Sequence, residues 1–89
     1  MSTETLTLDQ LRVGESFVVD RIRNDGAMKR RLEDLGIVSG TRIDCVMRSP
    51  LGDPRAYRIR GAVIALRSDD AATVVGFPIA TDIGRAVWD

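Results

Sequence analysis

Residues 28–48 have the sequence MKRRLEDLGIVSGTRIDCVMR, in which a helix, its stop signal and a strand follow one another directly. Three apolar residues recur at i, i+4 and i+7, which predicts a helix with one apolar face: Met28, Leu32 and Leu35. Gly36 suits the left-handed position just past a helix end, and Ile37 after it can pack back on the last turn. We therefore expect the helix to end at Gly36.

Upstream, Asn24 and Asp25 are expected to cap this helix, since a short side-chain oxygen can accept from free amides in the first turn. Ser16 to Ile22 is rich in β-branched and aromatic residues, which predicts a strand. Both faces of this strand are candidates for packing on the core, because Val19 and Ile22 break the strict alternation of apolar and polar residues. A short helical turn that ends at Gly14 is expected before it.

Downstream, residues 38–41 predict a tight turn into a strand over residues 42–48, with three residues on one face: Ile43, Cys45 and Met47. The turn formers of residues 49–54 then predict a hairpin whose second strand alternates Tyr57 and Ile59 with Arg58 and Arg60. Residues 62–67 predict a further strand, residues 68–70 a turn and residues 72–77 a last strand.

Five short strands with one α-helix after the first predict a mainly β fold, a small SH3-like five-stranded barrel. We expect this domain to cover residues 1–77 and a C-terminal tail to follow at residues 78–89. The predicted core is formed by Val19, Ile22, Leu32, Leu35, Ile43, Cys45, Ile59, Ile64 and Leu66.

The composition limits the classes of function. Eighty-nine residues suit one domain, and 13 basic residues balance 13 acidic ones, so the chain lacks the net positive field that dominates non-specific nucleic-acid binding. The single cysteine cannot form an internal disulfide, which favours a reducing cytoplasm. No signal peptide and no stretch of about 20 apolar residues is present, so we expect a cytoplasmic protein without membrane insertion.

Four separated blocks stand in order along the chain: Leu8-x-x-Leu11-x-x-Gly14, Arg31-Leu32-x-x-Leu35-Gly36-Ile37-x-x-Gly40-Thr41, Pro50-x-Gly52-Asp53-Pro54 and Gly61-x-x-Ile64-Ala65-Leu66-Arg67. Together they closely resemble the FeoA family, and the resemblance extends from about Leu6 to about Phe77. The resemblance implies an SH3-like barrel and a role in ferrous iron uptake, with a FeoB-like ferrous iron permease as the partner. Because the domain starts at Met1, the free-standing form of the family is expected.

The residue inventory favours a binding module without enzymatic activity. Histidine, the commonest general base, is absent, and no glycine pattern forms a phosphate loop. Cys45 lies between Ile43 and Met47, where a thiol usually acts as a small buried hydrophobe. We interpret the adjacent acid pairs Glu33–Asp34 and Asp69–Asp70 as solvated charges, so no metal site and no cofactor are expected.

Twelve of the 13 basic residues are arginines, which form planar, two-pronged contacts with carboxylates. Arg30 and Arg31 are expected on the exposed helix face, near an apolar Leu51 at the tip of the hairpin, and together these three form the first predicted partner-binding site. The outer strands supply the second, with Arg58 and Arg60 and a contribution from Arg42. The alternative for both sites is an ordinary solvated surface without a binding role.

Two other functions stay open, a metal-responsive sensor domain and a small barrel that binds nucleic acid. Neutral net charge and few aromatic residues make nucleic acid the less favoured partner. The tail carries apolar residues at intervals of four and a tryptophan: Ile79, Ile83, Val87 and Trp88. It is expected either to mediate self-association or to fold back over its own barrel.

Overall fold

The structure, a computed structural model that describes residues 4–79, consists of one antiparallel sheet with three short helical segments. In chain order the elements are β1 (Leu6–Thr7), a 3-10 turn (Leu8–Gln10), β2 (Ser16–Ile22), α1 (Ala27–Asp34), β3 (Arg42–Arg48), β4 (Arg55–Ile59), β5 (Ala62–Leu66), α2 (Ser68–Ala71) and β6 (Val74–Ile79). The strands are hydrogen-bonded in the order β1-β6-β2-β3-β4-β5, and the sheet curves around a single core.

The fold class predicted from the sequence, a mainly β SH3-like domain with a helix after the first long strand, is confirmed. Two details differ. The described residues contain six strands, because Leu6 and Thr7 pair with Gly76 and Val75 to form β1. Two residues are too few to show a periodic pattern. Residues 68–71 form the helical turn α2 where an irregular turn was expected.

The C-terminal end of α1 confirms the predicted stop signal. The amide of Ile37 donates to the carbonyl of Leu32 at 3.1 Å, and that of Gly36 donates to Glu33 at 2.9 Å. Gly36 has a φ of 100°, and these two bonds are those of a Schellman cap. The start of the helix differs from the prediction: Gly26 is the N-cap residue and no side chain caps it, so the capping role given to Asn24 and Asp25 was wrong.

A bulge in β2 explains why this strand breaks alternation. Val19 pairs with Gly76 and Arg21 pairs with Val75, so Asp20 is the extra residue. The inserted residue reverses the sides to which the following side chains point. Val19 before the bulge and Ile22 after it therefore both pack against the core.

A second bulge changes the face of Met47 in β3. Cys45 pairs with Tyr57 and Met47 pairs with Ala56, which leaves Val46 as the extra residue. Ile43 and Cys45 are buried as predicted, but Met47 is 62% exposed, so its placement on the same face was wrong. The alternation of the sequence cannot reveal a residue that is skipped in the strand pairing.

The predicted core is confirmed in its centre. Six of the nine residues are buried: Val19, Leu32, Ile43, Cys45, Ile59 and Leu66. The other three, Ile22, Leu35 and Ile64, are partly buried and pack against that cluster. The largest side chains that the prediction omitted are Phe17 and Tyr57, both fully buried.

Arg55 fastens the N-terminal segment to the sheet. Its Nη1 donates to the carbonyl oxygens of Asp9 at 2.7 Å and Leu11 at 2.8 Å. The hydroxyl of Tyr57 points to the carbonyl of Leu8 at 3.4 Å. The bonds from Arg55 satisfy the carbonyl groups of Asp9 and Leu11 at the end of the 3-10 turn, whereas that of Leu8 also accepts from the amide of Leu11, so the turn becomes part of the core.

β6 continues through Pro78 and Ile79, two residues that the sequence analysis assigned to the tail. Proline fits here because β1 pairs only with the first part of β6. Residues 80–89, and with them the expected self-association of the tail, lie outside the described residues. No helix formed by residues 4–79 is both long and apolar enough to cross a bilayer.

The helix face can be tested by truncating its apolar residues. Leu32→Ala is expected to lower the free energy of unfolding by about 2–5 kcal/mol, because Leu32 is 1% exposed in the core. Leu35→Ala should cost less, since Leu35 is only partly buried. Lys29→Ala, on the exposed face, serves as the control in the same denaturant titration. A Leu32→Ala variant that unfolds like the parent protein would contradict this assignment of the core face.

Candidate functional site

Described residues on the outer face of the sheet form an open depression with a volume of about 540 Å³. It lies between the turn of residues 38–41, which follows α1, and the turn that joins β4 to β5. We call it the arginine groove, and its lining includes the side chains of Val38, Arg42, Asp44, Arg58 and Arg60.

Strand register places the charged groups of the groove on one face. Asp44 of β3 pairs directly with Arg58 of β4. Their neighbours Ile43 and Ile59 pair with each other and are buried, so the charged residues point to the opposite side. Arg42 lies two residues before Asp44 and therefore shares its face.

Arg42 and Asp44 of the groove form a polar network with Ser16, which lines the neighbouring depression. One carboxylate oxygen of Asp44, Oδ1, accepts from the hydroxyl of Ser16 at 2.5 Å and from Nε of Arg42 at 2.9 Å. Ser16 is 3% exposed, and Nη2 of Arg42 also lies 3.4 Å from its hydroxyl oxygen. The network therefore fixes the position of Arg42 against the sheet.

The pKa of Asp44 is lowered from its ordinary value of 3.8. Partial burial acts in the opposite direction and raises the pKa, but the hydrogen bonds from Ser16 and Arg42 and the positive charges of Arg42 and Arg58 outweigh it. Asp44 is therefore an anion in the groove at neutral pH. It compensates part of the positive charge that surrounds it.

Arg60 stands in a backbone conformation that is unusual for an arginine. Ile59 pairs with Ala62, so Arg60 and Gly61 form a two-residue hairpin turn. Their φ angles are 51° and 86°, as in a type I′ turn, which favours Asn-Gly. The side chain of Arg60 crosses Gly36, where an added Cβ would lie 2.6 Å from its Cδ.

A second depression, of about 500 Å³, continues the groove along the same face. It shares Arg42, Asp44 and Arg58 with the first and extends to Val13 at its far end. Val13 is half exposed and Val38, at the other end, is 38% exposed. The charged centre of the groove thus has an apolar residue near each end.

The five predicted partner-binding residues are all exposed, but they do not form one surface. Arg58 and Arg60 lie in the groove. Arg30 and Arg31 lie on α1, which leads to the start of β3, whereas Leu51 follows its end. Seven strand residues span roughly 20 Å, so β3 separates the loop that follows α1 from the hairpin tip, and the expected closeness of the helix face and the tip stays a prediction.

Sequence reasoning missed Asp44 and Ser16. The two residues are 28 positions apart and meet only through the pairing of β2 with β3. The one available signal was the alternation within β3, which places Asp44 on the face opposite Ile43 and Cys45. The partner of that carboxylate could not be inferred without the register of the strands.

Few side chains among the described residues are suited to bind a metal ion or to react as a thiol. Residues 4–79 contain no group of three His, Cys, Asp or Glu side chains close enough to hold a metal ion. Cys45 is 1% exposed, and burial raises the pKa of its thiol, although the charge of Arg55 acts in the opposite direction. Its thiol is therefore protonated at neutral pH.

Cys45→Ser is expected to lower stability without changing binding or transport, because a hydroxyl in this apolar place needs a hydrogen-bond partner. Thermal unfolding measures the first effect, and ferrous iron uptake by a complemented deletion strain measures the second. Cys45→Ala, which removes the thiol without adding a polar group, is the matched variant. Loss of uptake in both variants at unchanged stability would show that the thiol has a chemical role.

Asp44→Asn is expected to lower the free energy of unfolding at pH 7. The lowered pKa means that ionised Asp44 stabilises the folded state above pH 3.8, and that this contribution is lost as the pH falls through the folded-state pKa. The difference between parent and variant should therefore shrink below pH 3.8 in denaturant titrations across the acid range. A difference that is constant with pH would contradict the network around this carboxylate.

Comparison with known proteins identifies a relative whose name refers to iron transport. A fusion protein of Porphyromonas gingivalis that joins Fe(2+) transport protein A to the Fe(2+) transporter FeoB is 32% identical over 89 residues. The match covers 90% of this chain and 10% of the fusion protein, so the chain spans about a tenth of that relative's length.

Solved structures agree with the fold. The FeoA-like protein of Clostridium acetobutylicum is 29% identical, with a TM-score of 0.82 over 89% of this chain and 92% of that one. The FeoA of Stenotrophomonas maltophilia, a prokaryotic SH3 domain protein solved with zinc, is 32% identical, with a TM-score of 0.72 over 80% and 88%. The FeoA domain model matches residues 6–76, which include every strand except the end of β6. The chain belongs to the FeoA family.

Proposed function

We propose that this protein is a non-enzymatic accessory protein of ferrous iron transport that binds the cytoplasmic part of a FeoB-like permease. The observation that carries the proposal is the Porphyromonas gingivalis relative, in which a FeoA part and a FeoB transporter are one polypeptide. Two parts joined in one chain remain at a high local concentration, which suits partners that act together.

The geometry of the groove supports a binding role. It is an open, charged depression, and its one carboxylate is already engaged by Ser16 and Arg42. A general base needs a free proton-accepting group within reach of a substrate, and a nucleophile needs an activating partner. The groove offers guanidinium groups, which bind and orient anions.

Three surfaces are candidates for the contact with the permease. The helix surface carries Arg30 and Arg31, the hairpin tip carries Leu51, which is 93% exposed, and the groove carries Arg58 and Arg60. The helix precedes β3 and the tip follows it, so the three surfaces lie on separate elements and are tested separately. An exposed leucine supplies apolar area, whereas the arginines supply selection between partners.

The proposal predicts that the full-length chain, used as bait, retains the purified cytoplasmic part of the FeoB-like permease from the same cells. It also predicts that deleting the gene lowers ferrous iron uptake and that the intact gene restores it. Absence of any binding together with normal uptake in the deletion strain would refute the proposed function.

Charge and polarity variants then separate the surfaces. Arg30→Glu with Arg31→Glu tests the helix, Leu51→Asp tests the tip and Arg58→Glu tests the groove. Each variant is compared with the parent only if it retains the parent's melting temperature. Arg23→Glu, an exposed charge reversal outside all three surfaces, is the control. The variant that lowers both retention and uptake identifies the contact, and normal retention in all of them would show that none of the three surfaces is used.

A further inference from the structure

The arginine groove concentrates positive charge on a chain that has none in total. The whole chain carries a formal net charge of zero at pH 7. The charged side chains that line the groove are three arginines and one aspartate, which leaves an excess of two positive charges there. A local excess on a neutral protein attracts an anion at short range without producing a field over the whole surface.

The three arginines are not equivalent. Arg42 donates to Asp44 and is held against the sheet by that ion pair. The side chains of Arg58 and Arg60 make no hydrogen bond and no ion pair with any residue between 4 and 79, although the charge of Arg58 contributes to the lowered pKa of Asp44. Two guanidinium groups are therefore available to a ligand, and a third stands beside them in a fixed position.

The backbone at Arg60 indicates that its side chain is used. A type I′ turn places two residues at positive φ, and asparagine adopts the first position at less cost than arginine. Residues kept in costly conformations tend to lie at functional sites. Here the arginine chain lies over Gly36, the only residue type that leaves room for it, and this packing directs Arg60 along the groove.

We propose that the arginine groove binds a carboxylate-bearing segment of the partner protein, with the guanidinium groups of Arg58 and Arg60 as the direct contacts. Paired N–H donors of arginine match the two oxygens of a carboxylate. Val38 and Val13, near the ends of the groove, suit apolar residues that flank the acid. This inference rests on the proposed function, since it takes the acidic segment to belong to the permease.

A nucleic-acid phosphate would offer the same charge, but the groove suits it less. The lining contains no aromatic side chain on which a base could stack. Because its net charge is zero, the chain also lacks the affinity that a basic domain gains by releasing counterions from nucleic acid.

The first test measures binding of the permease's cytoplasmic part to the parent protein and to Arg58→Gln and Arg60→Asn. Each variant should weaken binding by roughly tenfold to a hundredfold, the range of one charged hydrogen-bonded contact. Arg60→Asn should at the same time keep or raise the melting temperature, because Asn-Gly is preferred in this turn. Arg60→Lys keeps the charge but not the paired donors, and it should lie between parent and Arg60→Asn.

The second test needs no permease, so its result is independent of the proposed function. Acetylated tetraglutamate is titrated into labelled protein while the Nε–H signals of the arginines are followed by nuclear magnetic resonance. The signals of Arg58 and Arg60 should shift, that of Arg23 should not, and tetraglutamine should shift none of them. A ten-nucleotide thymidine strand is titrated in parallel.

The outcomes separate the two proposals. Loss of permease binding in the groove variants together with selective tetraglutamate shifts supports the inference. Normal permease binding by Arg58→Gln and Arg60→Asn overturns it and leaves the proposed function intact. No permease binding by the parent, together with normal uptake in the deletion strain, refutes the proposed function, and the tetraglutamate shifts then decide alone whether the groove takes carboxylates. Tighter binding of the thymidine strand than of tetraglutamate overturns the carboxylate assignment.

Discussion

Gly36 has a backbone conformation, φ 100°, that ends α1 and turns the chain toward the sheet, and two other parts of the molecule are built around it. The Schellman cap closes the helix and places Ile37 in the core, from which the chain enters β3. On the outside, the absence of a Cβ leaves the space that the side chain of Arg60 occupies. A single residue type thus satisfies the helix end, the packing of the core and the edge of the groove, and any side chain there would disturb all three.

Local signals were sufficient for much of this fold. The spacing of Leu32 and Leu35, the glycine after them and the turn formers of residues 49–54 each act over a few residues, so the sequence alone identifies the helix, its end and the hairpin. The bulges at Asp20 and Val46 depend on how strands pair, and the exposure of Met47 follows from the second of them. The same limit applies to the groove. Alternation in β4 indicated that Arg58 is exposed, but only strand register brings Ser16 to Asp44.

Positive and negative charges balance over the whole chain, but they are unevenly distributed on its surface. Asp44 neutralises Arg42 within the network, while the guanidinium of Arg55 is turned inward to the carbonyls of Asp9 and Leu11. The arginines of this chain therefore fall into two groups, one that stabilises the fold and one that is exposed to solvent. Arg55 replaces missing backbone hydrogen bonds in the core, which a hydrophobic side chain could not do. Arg58 and Arg60 stand on the outer face with their side-chain donors unused by the described residues.

The packing of Arg60 on Gly36 also bears on conformational entropy. A long side chain that is immobilised when a complex forms loses about 0.5–1.5 kcal/mol of rotamer freedom. In Arg60 the inner methylene groups are already restrained by contact with Gly36, and its Cα belongs to a two-residue turn that has little freedom of its own. That part of the side chain's conformational entropy is therefore already lost when the chain folds. Contacts made by this guanidinium therefore lose less affinity to ordering than contacts made by an arginine on a mobile loop.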